Sequence, residues 1–391
     1  MAPLRTLQGI RIAAFTQFLL GPAAVQYLAD LGADVIKVEA PGDGAWERRW
    51  AGADSFPGGV SAFFLLGNRN LRSVVLDLKS AAGQEAALRL VASADVVVEN
   101  FRPGVMERLG LGYEDTVRVR PDIIYASASG YGTDGVARHL PGQDLLIQAQ
   151  SGLGWLTGRE GQDPVCVGAA VVDQHGAALL AMGLLAALLH RERTGEGQRI
   201  EVTMIQAALD LATEPVVYRL NGASIERPVE AIADTFHAAP YGFYRTRDGH
   251  VAISMTPVAR LREALGQPAG LEGLDDPDIA FSERDRIRSV LGPLVEHHST
   301  EELVALLRSH GVWCAPVNSL DAALADPAIQ HLRPVLEMDH PRAGRVRVLR
   351  HPVRYGAGEP ELRHVPPEVG EHTAEVLAEL GIATVEPGWS G

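Results

Sequence analysis

Short apolar segments alternate with helix-like segments through the first half of the chain, and this alternation restricts the fold more than any other sequence feature. The apolar segments lie at residues 10–15, 34–39, 73–78, 95–99 and 123–127. Helices are predicted from Gly21-Pro22, over 81–92 and from Pro103-Gly104, because proline suits the first turn of a helix. Strands that alternate with helices through short links pair in parallel. The predicted fold class is therefore α/β, with helices on both faces of a parallel sheet.

The pattern changes after about residue 220. Before that point, a long apolar helix is predicted over 174–193 and a strand over 199–202. Beyond it, a hairpin over 241–254 and two amphipathic helices near 284–294 and 300–309 indicate a smaller α+β domain. The tail is rich in proline, which favours an extended chain, and ends in a helix near 371–380. We therefore divide the chain into a large domain (1–220), a small domain (221–325) and a C-terminal tail (326–391).

Charge and cysteine content exclude several classes of protein. The formal net charge is −14, whereas proteins that bind nucleic acid usually carry a basic face, so nucleic acid is not an expected partner. Cys166 and Cys314 are too few for a disulfide framework or a structural zinc site, so we expect no metal and a cytoplasmic location. The most apolar run, 177–189, is shorter than the roughly 20 residues that span a membrane. We interpret it as a buried helix and expect no membrane partner.

The first strand–turn–helix unit does not carry a dinucleotide-binding motif. Its loop, residues 16–22, lacks the GxGxxG glycines that let a backbone approach a pyrophosphate. Glu39 at the end of the second strand is suited to bind a ribose hydroxyl, but it is one feature among the several that a dinucleotide-binding site needs. Lysine occurs at positions 37 and 79 alone, and the other basic residues are arginine. This scarcity makes Lys37 and Lys79 more informative than any single arginine.

Several short motifs occur in a fixed order along almost the whole chain. They are LADLGADVIKVE at 28–39, ENFRPG at 99–104, ERLG at 107–110, PGQD at 141–144, QAQSG at 148–152, RERTGEGQ at 191–198, Asp326-Pro327 and GEHT at 370–373. Together they resemble the family III CoA-transferases (the formyl-CoA transferase and carnitine CoA-transferase group) and the related α-methylacyl-CoA racemases. The resemblance implies a Rossmann-like large domain built from the N-terminal half and the tail, and a small middle domain. It also implies an interlocked homodimer, in which the tail wraps the partner.

The resemblance assigns catalysis to one aspartate, and the matching residue here is Asp173. A CoA transfer between carboxylic acids needs a nucleophile that carries first the acyl group, as a mixed anhydride, and then CoA, as a thioester. Asp173 lies where the apolar helix begins, and a helix N-terminus is expected to favour an ionised carboxylate and to stabilise oxyanions. The alternative reading of Asp173 is a helix-capping residue without chemistry.

Position 143 separates the two branches of the family. A racemase needs two bases on opposite faces of the α-carbon, and the racemases have a histidine where this chain has Gln143. An amide is neither an acid nor a base near neutral pH, so the sequence favours a CoA-transferase over a 2-methylacyl-CoA racemase or epimerase. His175 and His237 are the alternatives for a missing base. A third possibility is a CoA-binding protein without catalysis.

The resemblance also maps CoA contacts onto this chain. They fall on Leu76, Asp77, Leu78, Lys79, Asn100, Phe101 and Arg108, with Gln143 and Asp144 at the thioester end. Arg72 and Arg102 are weaker candidates for phosphate binding. CoA and acyl-CoA are expected as substrates, with a small carboxylic acid as acceptor and no permanently bound cofactor. Ala40 replaces an arginine of the formyl-CoA transferases, and residues 234–242 lack their glycine run, so oxalate and formate are not favoured.

Overall fold

The fold was analysed in a computed structural model, which describes residues 2–230, 233–276 and 279–382. Its strands are β1 (Arg11–Phe15), β2 (Asp34–Glu39), β3 (Leu71–Val75), β4 (Val96–Glu99), β5 (Ile124–Ser129), β6 (Gln198–Thr203), β7 (Gly242–Arg245), β8 (His250–Ile253), β9 (Cys314–Pro316), β10 (Val335–His340) and β11 (Gly344–Leu349). Its helices are α1 (Leu20–Asp30), α2 (Ala62–Gly67), α3 (Ala81–Ser93), α4 (Val105–Arg108), α5 (Tyr113–Val119), α6 (Asp144–Gln150), α7 (Leu153–Leu156), α8 (Val171–Thr194), α9 (Met204–Leu211), α10 (Thr213–Leu220), α11 (Val258–Ala264), α12 (Arg284–Glu296), α13 (Thr300–Ser309), α14 (Leu320–Ala325), α15 (Pro327–Leu332) and α16 (Thr373–Glu379).

Strands β1 to β6 form one parallel sheet in the order β3-β2-β1-β4-β5-β6. The sheet confirms the predicted α/β class. Its core contains side chains from β1, β2 and β4 that pack against α3 and α16, among them Phe15, Ile36, Val97, Leu90 and Val376. These strands are nearly continuous runs of apolar residues, as expected for strands that are covered on both faces.

The contacts divide the chain into two compact units. The first comprises Met1–Ile147, Ala170–Ala208 and Leu332–Gly391 and contains the parallel sheet. The second comprises Gln148–Ala169 and Leu209–His331, a wider range than the 221–325 expected from the sequence. Within it, β7, β8 and β9 form an antiparallel sheet whose core includes Tyr244, Leu291 and Leu307.

The C-terminal segment differs from the extended tail that the sequence predicts. Residues 335–349 form an antiparallel hairpin, β10–β11, in which Met338 pairs with Val346. Alternating apolar and polar residues on both sides of a turn drive this pairing, a signal that the neighbouring prolines and arginines obscure. Further along, the Asn70 side-chain oxygen accepts a hydrogen bond from the Arg363 backbone N–H at 2.6 Å, within the first unit. The last part of the predicted tail, 383–391, lies outside the described residues.

Helix α8 is longer than its predicted range and is not fully buried. By length and composition it is the one helix among the described residues that is able to cross a membrane, and 44% of an apolar 18-residue stretch within it is buried inside the protein. Ala177, Leu180 and Leu184 are buried, whereas Met182 and Leu189 are 62% and 46% exposed. The expected buried helix therefore has one buried face and one exposed apolar face.

Candidate active site

The sheet has a topological switch point between β1 and β4. From β1 the chain proceeds outward to β2 and β3, and then crosses to β4, β5 and β6 on the other side. Open α/β sheets bind ligands at the carboxyl ends of the strands beside such a point. Here the loop after β1 and the loop after β4 flank it. The Asn100 side chain joins the two loops, because it accepts from the Gln17 N–H and donates to the Gln17 carbonyl, both at 2.8 Å.

The helix that carries Asp173 packs against this region. Asp173 lies in the first turn of α8, and Gly176 lies one turn further along. A Cβ atom at Gly176 would be 2.7 Å from Leu20 Cδ1, so glycine lets α8 approach the first residue of α1 closely. Because the β1 loop leads directly into α1, the first turn of α8 is placed next to the switch point.

Asp144 occupies the N-terminus of α8. One of its carboxylate oxygens accepts the backbone N–H groups of Val172 at 2.8 Å and of Asp173 at 3.0 Å. Two of the free N–H groups expected at this helix terminus are therefore bound by a second carboxylate. Asp144 reaches them because Gly142 packs against Gly130 at the end of β5, where an added Cβ at Gly142 would be 2.4 Å from the Gly130 Cα.

Burial, the larger cause, and the neighbouring charge of Asp144 together raise the pKa of the Asp173 carboxyl to about 7. The expectation that the helix N-terminus favours the ionised form of Asp173 is therefore wrong. Desolvation outweighs the helix dipole, and the N–H groups of Val172 and Asp173 donate to Asp144 and not to the Asp173 carboxylate. An acid with this pKa is a poorly solvated base near neutral pH, as a covalent nucleophile requires.

A second buried acid, Glu99, lies at the carboxyl end of β4. Burial raises its pKa to about 7, although hydrogen bonds from the Ser127 side chain and the Phe101 backbone lower it. The Phe101 N–H donates to its carboxylate at 3.0 Å, so Glu99 shapes the loop that carries Asn100 and Phe101. Glu99 is not among the site residues predicted from the sequence. The available signal was an acid that directly follows three valines at the end of a predicted strand.

The predicted CoA contacts lie on the loops at this edge of the sheet. Leu76 is buried in the core, Asp77 and Leu78 are half-buried, and Lys79 is exposed. Phe101 is partly buried against the same core, and Arg108 is exposed on α4. Neither Lys79 nor Arg108 has an ion-pair partner among the described residues, so both ammonium and guanidinium groups are free to bind phosphate.

Other predicted residues take different positions. Arg72 is buried and pairs with Asp34 and with Glu375 and Glu379 of the tail, so it is not a phosphate ligand. Arg102 and Gln143 are exposed. His175 lies two residues from Asp173 and points to a different side of α8, since successive residues turn by about 100°. His237 belongs to the second unit, where its Nδ1 is 2.7 Å from Asp234.

Metal chemistry has no obvious site in the described part of the chain. Among residues 2–230, 233–276 and 279–382, no group of three or more His, Cys, Asp or Glu side chains is arranged to hold a metal ion.

Comparison with known proteins identifies the family of the chain and proteins of the same fold. A family model described as CoA-transferase family III matches residues 7–373. An acyl-CoA transferase of Fusarium pseudograminearum is 36% identical over 391 residues, covering 96% of this chain and 85% of the relative. A succinyl-CoA:glutarate CoA-transferase of Mus musculus is 34% identical over 388 residues, with coverage of 96% and 87%. The crystal structure of Rv3272 from Mycobacterium tuberculosis matches with a TM-score of 0.81 at 33% identity, covering 96% of this chain and 100% of that one.

The Asp144→Asn substitution tests the electrostatic coupling between Asp144 and Asp173. The amide oxygen still accepts from Val172 and Asp173, but the negative charge is lost, so the pKa of Asp173 is expected to fall. It stays above 3.8, because burial, the larger cause, remains. Carbon-13 NMR of labelled aspartate, assigned with Asp173→Asn, measures this titration. An Asp173 pKa that does not move in Asp144→Asn would contradict the coupling.

Proposed function

The chain belongs to CoA-transferase family III, and from that premise we propose that it moves CoA from an acyl-CoA to a free carboxylic acid through covalent intermediates on Asp173. The observation that carries this proposal is the half-buried carboxylate of Asp173, set in the first turn of α8 beside the switch point and held near a pKa of 7. Little water solvates such a carboxylate, so it is a better nucleophile than an exposed one.

The proposed reaction has four balanced steps. The Asp173 carboxylate attacks the thioester carbonyl of the donor, the C–S bond breaks, and CoA leaves as a thiolate, so that the donor acyl group remains on Asp173 as a mixed anhydride. The thiolate then attacks the Asp173 carbonyl carbon, which releases the donor acid as a carboxylate and leaves an aspartyl-CoA thioester. The acceptor carboxylate attacks that thioester carbonyl, the C–S bond breaks again, and CoA thiolate leaves behind a second mixed anhydride. The thiolate finally attacks the acceptor carbonyl of this anhydride, which forms the acceptor acyl-CoA and releases the Asp173 carboxylate. Thioester is exchanged for thioester, so no ATP is needed.

Two cationic side chains, Lys79 and Arg108, support a binding position for CoA. The formal net charge of −14 repels the phosphates of CoA at long range, so local positive groups must offset it. Lys79 and Arg108 supply such groups at the edge of the sheet where β3 and β4 end. The pantetheine arm would then pass Asn100 and Phe101 and bring the sulfur towards Asp144 and Asp173.

Relatives suggest the first substrates to test. Named relatives at 30–34% identity transfer CoA from succinyl-CoA to glutarate, mesaconate or D-citramalate, all short dicarboxylic acids or their hydroxy derivatives. We propose succinyl-CoA as donor and a short dicarboxylic acid as acceptor for this chain.

A 2-methylacyl-CoA racemase or epimerase is the second candidate, and the exposed Gln143 weighs against it because an amide offers no second base. Uptake of deuterium at the α-carbon in D₂O, with no acceptor acid present, would favour the racemase. A CoA-binding protein without catalysis would show a CoA-dependent rise in melting temperature and no transfer with any acid.

We also propose that the chain works as an interlocked homodimer. The exposed apolar face of α8, with Met182, Leu185 and Leu189, supports this proposal, since a soluble monomer gains little by exposing such a face. Cys166 and Cys314 are free thiols, which fits the proposed cytoplasmic location.

Replacement of the nucleophile tests the mechanism. Asp173→Asn should lower kcat by at least about 1,000-fold while CoA affinity stays near the wild-type value. The folded pKa of Asp173 lies above its unfolded value of 3.8, so wild-type stability falls as pH rises from about 4 to about 7. Asp173→Asn lacks this loss and should be the more stable protein at pH 8, by on the order of 1–3 kcal/mol. Calorimetry and steady-state assays measure both effects. Substantial turnover by a stable Asp173→Asn protein would remove Asp173 from the mechanism.

A charge on the exposed face of α8 tests the dimer. We expect Leu185→Glu, when it is refolded from denaturant, to yield monomers where the wild-type protein yields dimers, because burying an unpaired carboxylate in an apolar contact is unfavourable. Light scattering after size-exclusion chromatography measures the mass. Glu192→Gln on the same helix is the control. A Leu185→Glu protein that keeps the wild-type mass would exclude this face from the interface.

A further inference from the structure

Lys37 and Glu47 form an ion pair that is completely buried. Lys37 Nζ lies 2.7 Å from Glu47 Oε1, and both side chains are 0% exposed. Lys37 is on β2, where it pairs with Ala14 of β1, and Glu47 lies in the short 3-10 turn Trp46–Arg48. Apolar residues of similar volume often replace a buried ion pair without loss of stability, so its presence calls for another explanation.

This pair binds the backbone of the loop after β1. Lys37 Nζ donates to the Thr16 carbonyl at 2.8 Å, and Glu47 Oε2 accepts from the Phe18 N–H at 3.1 Å. Between these two bonds lies Gln17, whose backbone N–H and carbonyl both bind the Asn100 side chain. Side chains from three separate segments therefore determine the path of residues 16–18.

The loop conformation depends on these bonds. Phe18 has a φ of 63°, in the left-handed region that residues other than glycine rarely adopt. Such a conformation persists where surrounding contacts over-determine it, and it is concentrated at functional sites. The Glu47 carboxylate supplies the contact here, because it binds the Phe18 N–H directly.

The loop in turn reaches the site of Asp173. It flanks the switch point and leads directly into α1, whose first residue, Leu20, contacts Gly176 one turn from Asp173. Neither Lys37 nor Glu47 is accessible to a substrate, so any effect on the reaction must pass through the loop. We infer that Lys37 and Glu47 are positioning residues, whose buried ion pair sets the Thr16–Phe18 loop at the geometry that CoA transfer requires. This inference rests on the proposed function.

Two variants of the pair and one control test the inference. In Lys37→Met/Glu47→Leu both charges and both loop contacts are lost together, so no unpaired charge remains in the core. Glu47→Gln keeps an acceptor for the Phe18 N–H. Arg69→Met breaks the buried Arg69–Asp30 pair in the same unit; the hydrogen bonds of the Arg69 side chain go to Asp30 and to the Leu349 carbonyl and not to residues 16–18. Steady-state CoA transfer, CoA affinity by calorimetry and thermal unfolding are measured for each.

The double variant should remain folded and lose about 100-fold in kcat with little change in CoA affinity, since a displacement of about 1 Å is enough for such a loss. Glu47→Gln should lose between about threefold and about tenfold in kcat, and Arg69→Met should lose stability but not kcat per folded molecule. If the double variant fails to fold, the kcat of Glu47→Gln alone tests the inference. Wild-type kcat in the folded pair variants, or an equal loss in Arg69→Met, would overturn the inference. A wild-type protein that transfers no CoA would instead refute the proposed function.

Discussion

The contact between Asp144 and the N-terminus of α8 is the constraint on which the site depends. It satisfies two backbone N–H groups that would otherwise lack partners, and it does so with a carboxylate rather than a hydroxyl or amide. A second acid is thereby fixed close to Asp173, whose side chain is itself half-buried. The helix terminus alone would favour an ionised Asp173, but burial outweighs it and the charge of Asp144 adds to the effect of burial, so the pKa of the carboxyl is raised to about 7.

The rest of the first unit brings this contact to the sheet. The strand order reverses between β1 and β4, and glycines at 142 and 176 allow close packing of the segments that carry Asp144 and Asp173. The loops that flank this switch point are fixed by polar groups, Asn100 and Glu99 on one side and the Lys37–Glu47 pair on the other. Rigid support of this kind is what placement of a thioester within reach of a carboxylate demands.

Local patterns predicted much of this fold and part of the site. The β1 to β6 strands were predicted because apolar runs alternate with helices, whereas the role of Asp173 followed from the family resemblance, since its local sequence also fits a helix cap. The β10–β11 hairpin was missed, because prolines and arginines dominate that composition. Local patterns do not predict contacts between residues that are far apart in the sequence. Asp144, for example, lies 29 positions from Asp173. Lys37 attracted notice as a rare lysine within an apolar strand, but nothing in the sequence identified Glu47 as its partner.

Chemical trapping of the aspartyl thioester tests the central claim most directly. The wild-type protein is mixed with succinyl-CoA, treated with borohydride and digested, and the peptide that contains residue 173 is analysed by mass spectrometry. Borohydride reduces an activated aspartyl group to the alcohol, so the account predicts homoserine at position 173, dependent on the acyl-CoA. An unmodified Asp173 peptide from protein that turns over normally, or reduction at a different carboxylate, would contradict it.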